Sequence, residues 1–330
     1  MNPKKGVNDF RFFDSNCYIT SYMAFLRLFE TLQQKFLSEK TKKSSETAIL
    51  FIAIASFIIH LAIFYLVDFG ILSINGSLDL LNHPIAAIYT PFSFILLYEV
   101  YLLIYYLPKS FTTYIGKQYE IMTLIVIRRL FKDLSNLTLS PDWFKIKYDL
   151  QFTYDLITSV LMFFLIYLFF LESKKTPNAV ALNESQIGAI SRFVKIKKTM
   201  ATALVPIFIS LAIYSFISWS IKIIYPGESS MNSFANINNI FFEQFFTILI
   251  FADVFLLLFS FFLTDEFHKV IRNSGFIIST ILIRLSFSTS GFLNNILILC
   301  AVVFGLLILV VYNKFEKHIA LEKTNSLKTY

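Results

Sequence analysis

Apolar residues fall in long runs separated by short polar segments, with little of the alternation that marks a half-buried strand. Runs at about 47–67, 84–107, 150–171, 200–223 and 239–263 are each near the ~20 residues that a membrane-spanning helix needs. The stretch from about 269 to 312 is too long for one crossing. It is interrupted by Ser286, Ser288, Thr289, Ser290 and Gly291, residues that permit a turn. This predicts a hairpin of two helices, 270–287 and 291–312. Residues 115–136 read IGKQYEIMTLIVIRRLFKDLSN, a short apolar core followed at once by Arg128, Arg129 and Lys132. Hydropathy alone leaves it either as a crossing or as an amphipathic helix lying flat in the interface.

Loop charges bear on that choice. The leader 1–46 holds eight Lys and Arg, the segment 172–199 six and the tail 313–330 four. Segments 68–83 and 225–238 hold none. Cytoplasmic loops carry the excess of Lys and Arg. If 115–136 crosses, the basic segments all fall on one side, with Lys145 and Lys147 as the exception. The expected architecture is therefore an all-α integral membrane protein of about eight transmembrane helices, both termini cytoplasmic. Within the leader, residues 20–38 place Met23, Phe25, Leu26, Leu28, Phe29, Leu32 and Phe36 mostly at helical spacing, an amphipathic helix. Such a helix can lie on the membrane, dock on the bundle or bind a partner.

The runs also resemble one another. FSFILLYEVYLLIYYL at 92–107 aligns with FTILIFADVFLLLFSF at 246–261, which sets Glu99 on Asp253. IMTLIVIR at 121–128 aligns with IISTILIR at 277–284, which sets Arg128 on Arg284. SFIIHLAIF at 56–64 aligns with PIFISLAIY at 206–214. Three blocks in the same order suggest an internal duplication. It would comprise two parallel four-helix repeats, 47–171 and 200–312, joined by a basic cytoplasmic linker at 172–199.

Composition agrees with the pattern. The 330 residues are 56% hydrophobic and 15% charged, and mean hydropathy is +0.65. A soluble domain carries roughly 25% charged residues, so this chain could not clothe its apolar surface in water. The net charge of +7 follows from basic cytoplasmic loops and needs no nucleic acid. Two cysteines, Cys17 and Cys300, and four scattered histidines make neither a disulfide framework nor a metal set. There is no G-x-S-x-G, H-E-x-x-H, P-loop or G-x-G-x-x-G, so no catalytic residue, metal or cofactor is expected.

Charges inside a membrane are costly and by default functional. Glu99 with Arg128 and Asp253 with Arg284 are the expected intramembrane pairs, each acid on one helix and its arginine on the next. Asp155, Glu243 and His60 are weaker candidates for a vestibule or pathway. A duplicated acid–arginine pair favours a channel or an ion- or proton-coupled transporter. The alternative is a membrane-anchored assembly, sensory or effector protein. An intramembrane enzyme acting on lipid ranks third. The expected partners are the lipid bilayer and a membrane protein or second copy of the chain. Single cysteines at Ser140 and Ser185 should react with an impermeant thiol reagent from opposite sides of the membrane; labelling of both from one side would exclude eight crossings.

Overall fold

The computed structural model of the chain describes residues 27, 29–71, 84–134, 147–175, 184–224, 233–262, 266–289 and 291–328, and everything described is helix, turn or short connection. We label the long helices α1 (Glu39–Asp68), α2 (Tyr89–Tyr106), α3 (Phe111–Leu134), α4 (Lys147–Ser173), α5 (Glu184–Ile224), α6 (Ser233–Phe261), α7 (Phe267–Ser286) and α8 (Phe292–Lys328). A short 3-10 turn, Pro84–Ile88, leads into α2. Five of these helices, α1, α4, α5, α6 and α8, contain stretches long and apolar enough to cross a membrane. The chain is an all-helical, multi-pass membrane protein.

Polar residues extend several helices beyond the apolar runs. α1 begins at Glu39, where the Ser38 hydroxyl accepts from the Thr41 amide and so satisfies an otherwise unmatched donor. α5 begins at Glu184, inside the segment expected as a linker. α8 continues to Lys328, through the residues expected as a tail. Lys, Glu and Gln are good helix formers, and a helix does not stop where the membrane does. Between α7 and α8 the chain turns at Gly291, whose φ of 71° suits a residue without Cβ. Of the amphipathic leader, residues 29–36 are described and helical. They dock on the bundle, where the Tyr101 hydroxyl donates to the Phe36 carbonyl at 2.8 Å.

Neighbouring helices run antiparallel. His60 meets Thr90 and Lys42 meets Tyr106 across α1 and α2. Phe92 stacks on Phe131 across α2 and α3, while Lys117 lies over Tyr106. Phe246 stacks on Phe287 and Asn273 donates to Ser260 across α6 and α7. α4 and α8 lie side by side and parallel, with Asn295 on Asp155 at one end and Asn313 on Glu172 at the other. α3 also touches α7, and α2 touches α5.

The outward-facing large apolar side chains belong mainly to the same five apolar helices. α2 shows none and α3 only Leu124. α7 shows a single stripe, Phe267, Ile271, Ile278 and Leu285, and buries Asn273, Ser279, Thr280 and Arg284 on its other side. α3 and the inner face of α7 pack against protein, so these two helices are less apolar than the five lipid-facing ones. α3 is packed lengthwise in the bundle, with Phe111, Tyr114, Ile115, Tyr119, Met122 and Val126 buried along it. At 1.5 Å per residue, its 24 residues reach ~36 Å and the 20 of α7 ~30 Å.

The tightest point lies where α3, α7 and α8 meet. Tyr119 Oη and Ser279 Oγ are 2.7 Å apart, and Ser279 donates to the Ala301 carbonyl at 2.6 Å. A Cβ on Gly305 would stand 1.9 Å from Tyr119 Oη. Gly305→Ala should therefore destabilise the protein by about 1–3 kcal/mol, the usual range for overpacking. Tyr119→Phe in the same chain should recover part of that loss. Unfolding midpoints in detergent test this, and an unchanged midpoint in Gly305→Ala would rule out the close approach.

Candidate intramembrane charge network

The ion-paired side chains of the bundle interior come from α3, α4, α6 and α7. Asp253 lies midway along the apolar stretch 244–261 of α6 and is fully buried. Arg284 sits on the enclosed face of α7, its side chain 2% exposed. Because α6 and α7 are antiparallel, the two residues arrive at similar depth. Arg284 Nη2 donates to Asp253 Oδ2 at 2.7 Å. From α3, the buried Tyr114 hydroxyl donates to Asp253 Oδ1 at 2.9 Å, and Gln118 Oε1 accepts from Arg284 Nη2 at 2.9 Å. This pair from the second half of the chain is thus completed by a helix of the first half.

Glu99 and Arg128 are arranged differently. Glu99 is buried on α2, close enough to feel the Arg128 guanidinium. No ion pair or hydrogen bond joins the two among the described residues. The neighbouring arginine makes the strong contact in this half. Arg129 grips Asp155 of α4 with Nε on Oδ2 and Nη2 on Oδ1, the latter at 2.9 Å. Arg129 also donates to Asn294 Oδ1 at 2.8 Å and Asn295 Oδ1 at 2.6 Å on α8. Asp155 accepts further bonds from Gln151 Nε2 at 2.7 Å and Asn295 Nδ2 at 2.6 Å. Asp155 is thus buried, with both carboxylate oxygens bonded.

The two networks touch. Asn294, which accepts from Arg129, also donates to the carbonyl of Ser286 in the last turn of α7. Arg284 lies two residues before it. Polar contacts thus run from Asp155 on α4 through Arg129 and Asn294 to the Ser286 carbonyl on α7, and two residues of α7 backbone separate that carbonyl from Arg284 and its partner Asp253 on α6. The two ends differ in how well they are satisfied. Around Asp155 both carboxylate oxygens are bonded. At the other end, Arg284 Nε and Nη1 and Gln118 Nε2 are buried and meet no acceptor among the described residues. A buried unmatched donor costs roughly 1–3 kcal/mol.

His60 is half-buried and its Nδ1 shares a 2.6 Å hydrogen bond with Thr90 Oγ1, a packing contact between α1 and α2. Glu243 belongs to α6, but its side chain lies outside the described residues. Sequence reasoning missed Tyr114, Gln118, Arg129, Asn294 and Asn295. The adjacent asparagines inside an apolar run were the available signal. It also missed Lys197, counted with the linker cations but buried on α5. There its Nζ donates to the Lys109 carbonyl at 2.8 Å and lies 4.1 Å from the Phe111 ring centre.

No family model matches this chain, and neither does any curated protein or solved structure. Among the described residues no group of His, Cys, Asp and Glu is placed to hold a metal ion.

Removing one partner of a buried pair strands the other, at a cost of about 3–5 kcal/mol. Asp253→Asn and Arg284→Gln should each show such a loss, and the double variant should lose less than their sum. Glu99→Gln and Arg128→Gln should be closer to additive. Unfolding free energies from the two double-mutant cycles test this. A larger coupling for Glu99 with Arg128 than for Asp253 with Arg284 would contradict the geometry.

Proposed function

We propose that this protein moves an ion or proton across a cell membrane, as a channel or coupled transporter, and that the Asp253–Arg284 pair is its working element. The support is the buried carboxylate–guanidinium pair halfway through the apolar zone, contacted from both halves of the chain, with three neighbouring donors still unmatched. A charge pair in that setting is expensive to maintain, because desolvation offsets much of its attraction. Tyr114, Asp253, Arg284 and Gln118 would exchange partners as the permeating species passes. Arg129, Asp155, Asn294 and Asn295 would hold α3, α4 and α8 together while they do.

In this reading the chain crosses the membrane eight times, with both termini in the cytoplasm. α3 supplies the doubtful crossing, supported by its antiparallel packing on α2 and α4 and its length of ~36 Å. The halves 47–171 and 200–312 are two parallel repeats. Supporting this, each half runs as a series of helices packed on their chain neighbours, and α4 and α8 are parallel.

A second reading is a membrane-anchored assembly, sensory or effector protein, with a second copy or another membrane protein as partner. Its support is that Asp253 is fully buried and Glu99 only 5% exposed, so neither faces solvent in this conformation.

Flux separates the two. Purified protein in liposomes should carry at least one of H+, K+ or Cl−. The Asp253→Asn/Arg284→Gln double variant should fold and lose that flux. A wild-type protein that carries none of the three, or a double variant with undiminished flux, would remove the pair from any transport role.

A further inference from the structure

Apart from the charge network, the structure has an outward groove between α5 and α6. It has a volume of about 550 Å³, within the ~300–1,000 Å³ typical of small-ligand sites. Arg192, Lys195, Ile196, Thr199 and Met200 of α5 line it, with Phe259 of α6 opposite. The five α5 positions follow i, i+3, i+4, i+7 and i+8 spacing, so one helix face builds the wall.

The order of chemistry along that face is informative. Arg192 and Lys195 come first and are exposed, and neither enters an ion pair among the described residues. The Thr199 hydroxyl follows. The half-buried Ile196 and Met200 form the apolar part of the wall, facing the Phe259 ring. The apolar run of α5 starts at about residue 200, so Arg192 and Lys195 stand one to two helical turns before it, at the border of the hydrocarbon zone. A hydrophilic anion would leave the lower half of such a groove unused. An apolar chain alone would leave two cations without counter-charge. One occupant uses both ends: a phospholipid with an anionic headgroup on Arg192 and Lys195 and an acyl chain along Ile196, Met200 and Phe259.

We propose that the α5–α6 groove is a binding site for an anionic phospholipid. Basic pockets between transmembrane helices are suited to such headgroups. Lys197, one residue from the groove wall, points the other way to the Lys109 carbonyl between α2 and α3. A lipid seated on Arg192 and Lys195 would therefore brace α5 where it anchors that corner. The site does not depend on whether the protein transports anything.

The test is native mass spectrometry of the full-length protein with phosphatidylglycerol and phosphatidylcholine of identical acyl chains. The wild type should retain phosphatidylglycerol about 30-fold better, the ratio that two surface cations set. Arg192→Gln/Lys195→Gln should abolish that preference, while Lys314→Gln/Lys317→Gln, a change to exposed cations on α8, should leave it intact. Ile196→Asn should weaken retention of both lipids. Equal retention of phosphatidylglycerol by the wild type and Arg192→Gln/Lys195→Gln would overturn the assignment. Displacement of the lipid by millimolar inorganic phosphate would overturn it in favour of a free-anion site. Equal displacement by an acidic amphipathic peptide would identify a protein-docking surface instead.

Discussion

The contact on which the rest depends is the ion pair of Asp253 and Arg284 in an apolar surround. Water cannot solvate either charge there, so each needs protein partners. Those partners come from three helices: α6 gives the acid, α7 the base, and α3 gives Tyr114 and Gln118. The requirement fixes which face of α7 points inward, since Arg284 cannot turn towards lipid without abandoning its acid. The stripe Ile271, Ile278 and Leu285 then falls on the outside. The register of α3 is fixed as well, because Tyr114 and Gln118 lie one helical turn apart and both must reach the pair.

That constraint explains why the helices divide into two kinds. α1, α4, α5, α6 and α8 carry the apolar belts and take the lipid-facing positions. α2, α3 and most of α7 are enclosed, so their side chains answer to neighbouring helices rather than to hydrocarbon. Polar residues become affordable there only if they are bonded. Tyr119, Ser279 and Asn273 are bonded, each to a group on an adjacent helix. Small residues at the contacts, Gly275 against Ile308 and Gly305 against Tyr119, let the backbones approach.

Much of this was legible in the sequence, and the part that was not has a physical cause. The five lipid-facing helices show as apolar runs because their solvent is hydrocarbon. Asp253 and Arg284 were legible as a pair because charge is scarce there and antiparallel neighbours bring them to one depth. α3 was ambiguous because an enclosed helix need not be apolar, and hydropathy records surroundings rather than position. Arg128 and Arg129 could not be separated. Adjacent residues on a helix point about 100° apart, and only the packing of α3 on α4 and α8 shows which one meets Asp155. The helical continuations through 184–199 and 313–328 were missed because charge marks the membrane border, not the helix end.

The two ends of the polar line differ in a way that bears on mechanism. Around Asp155 both oxygens are taken up and four other side chains converge, from α3, α4 and α8. Moving any of these helices would break several strong bonds together, without replacements in hydrocarbon. Around Arg284, one nitrogen serves both Asp253 and Gln118 while Nε and Nη1 hold nothing. A guanidinium with donors to spare can pass an acceptor from one nitrogen to another without an interval of full desolvation. Any conformational exchange within the bundle is therefore cheapest at α6, because α7 is held against α3 and α8 by Tyr119, Ser279 and the close approach at Gly305. The Asn294 link to Ser286 fixes the last turn of α7 in the same way.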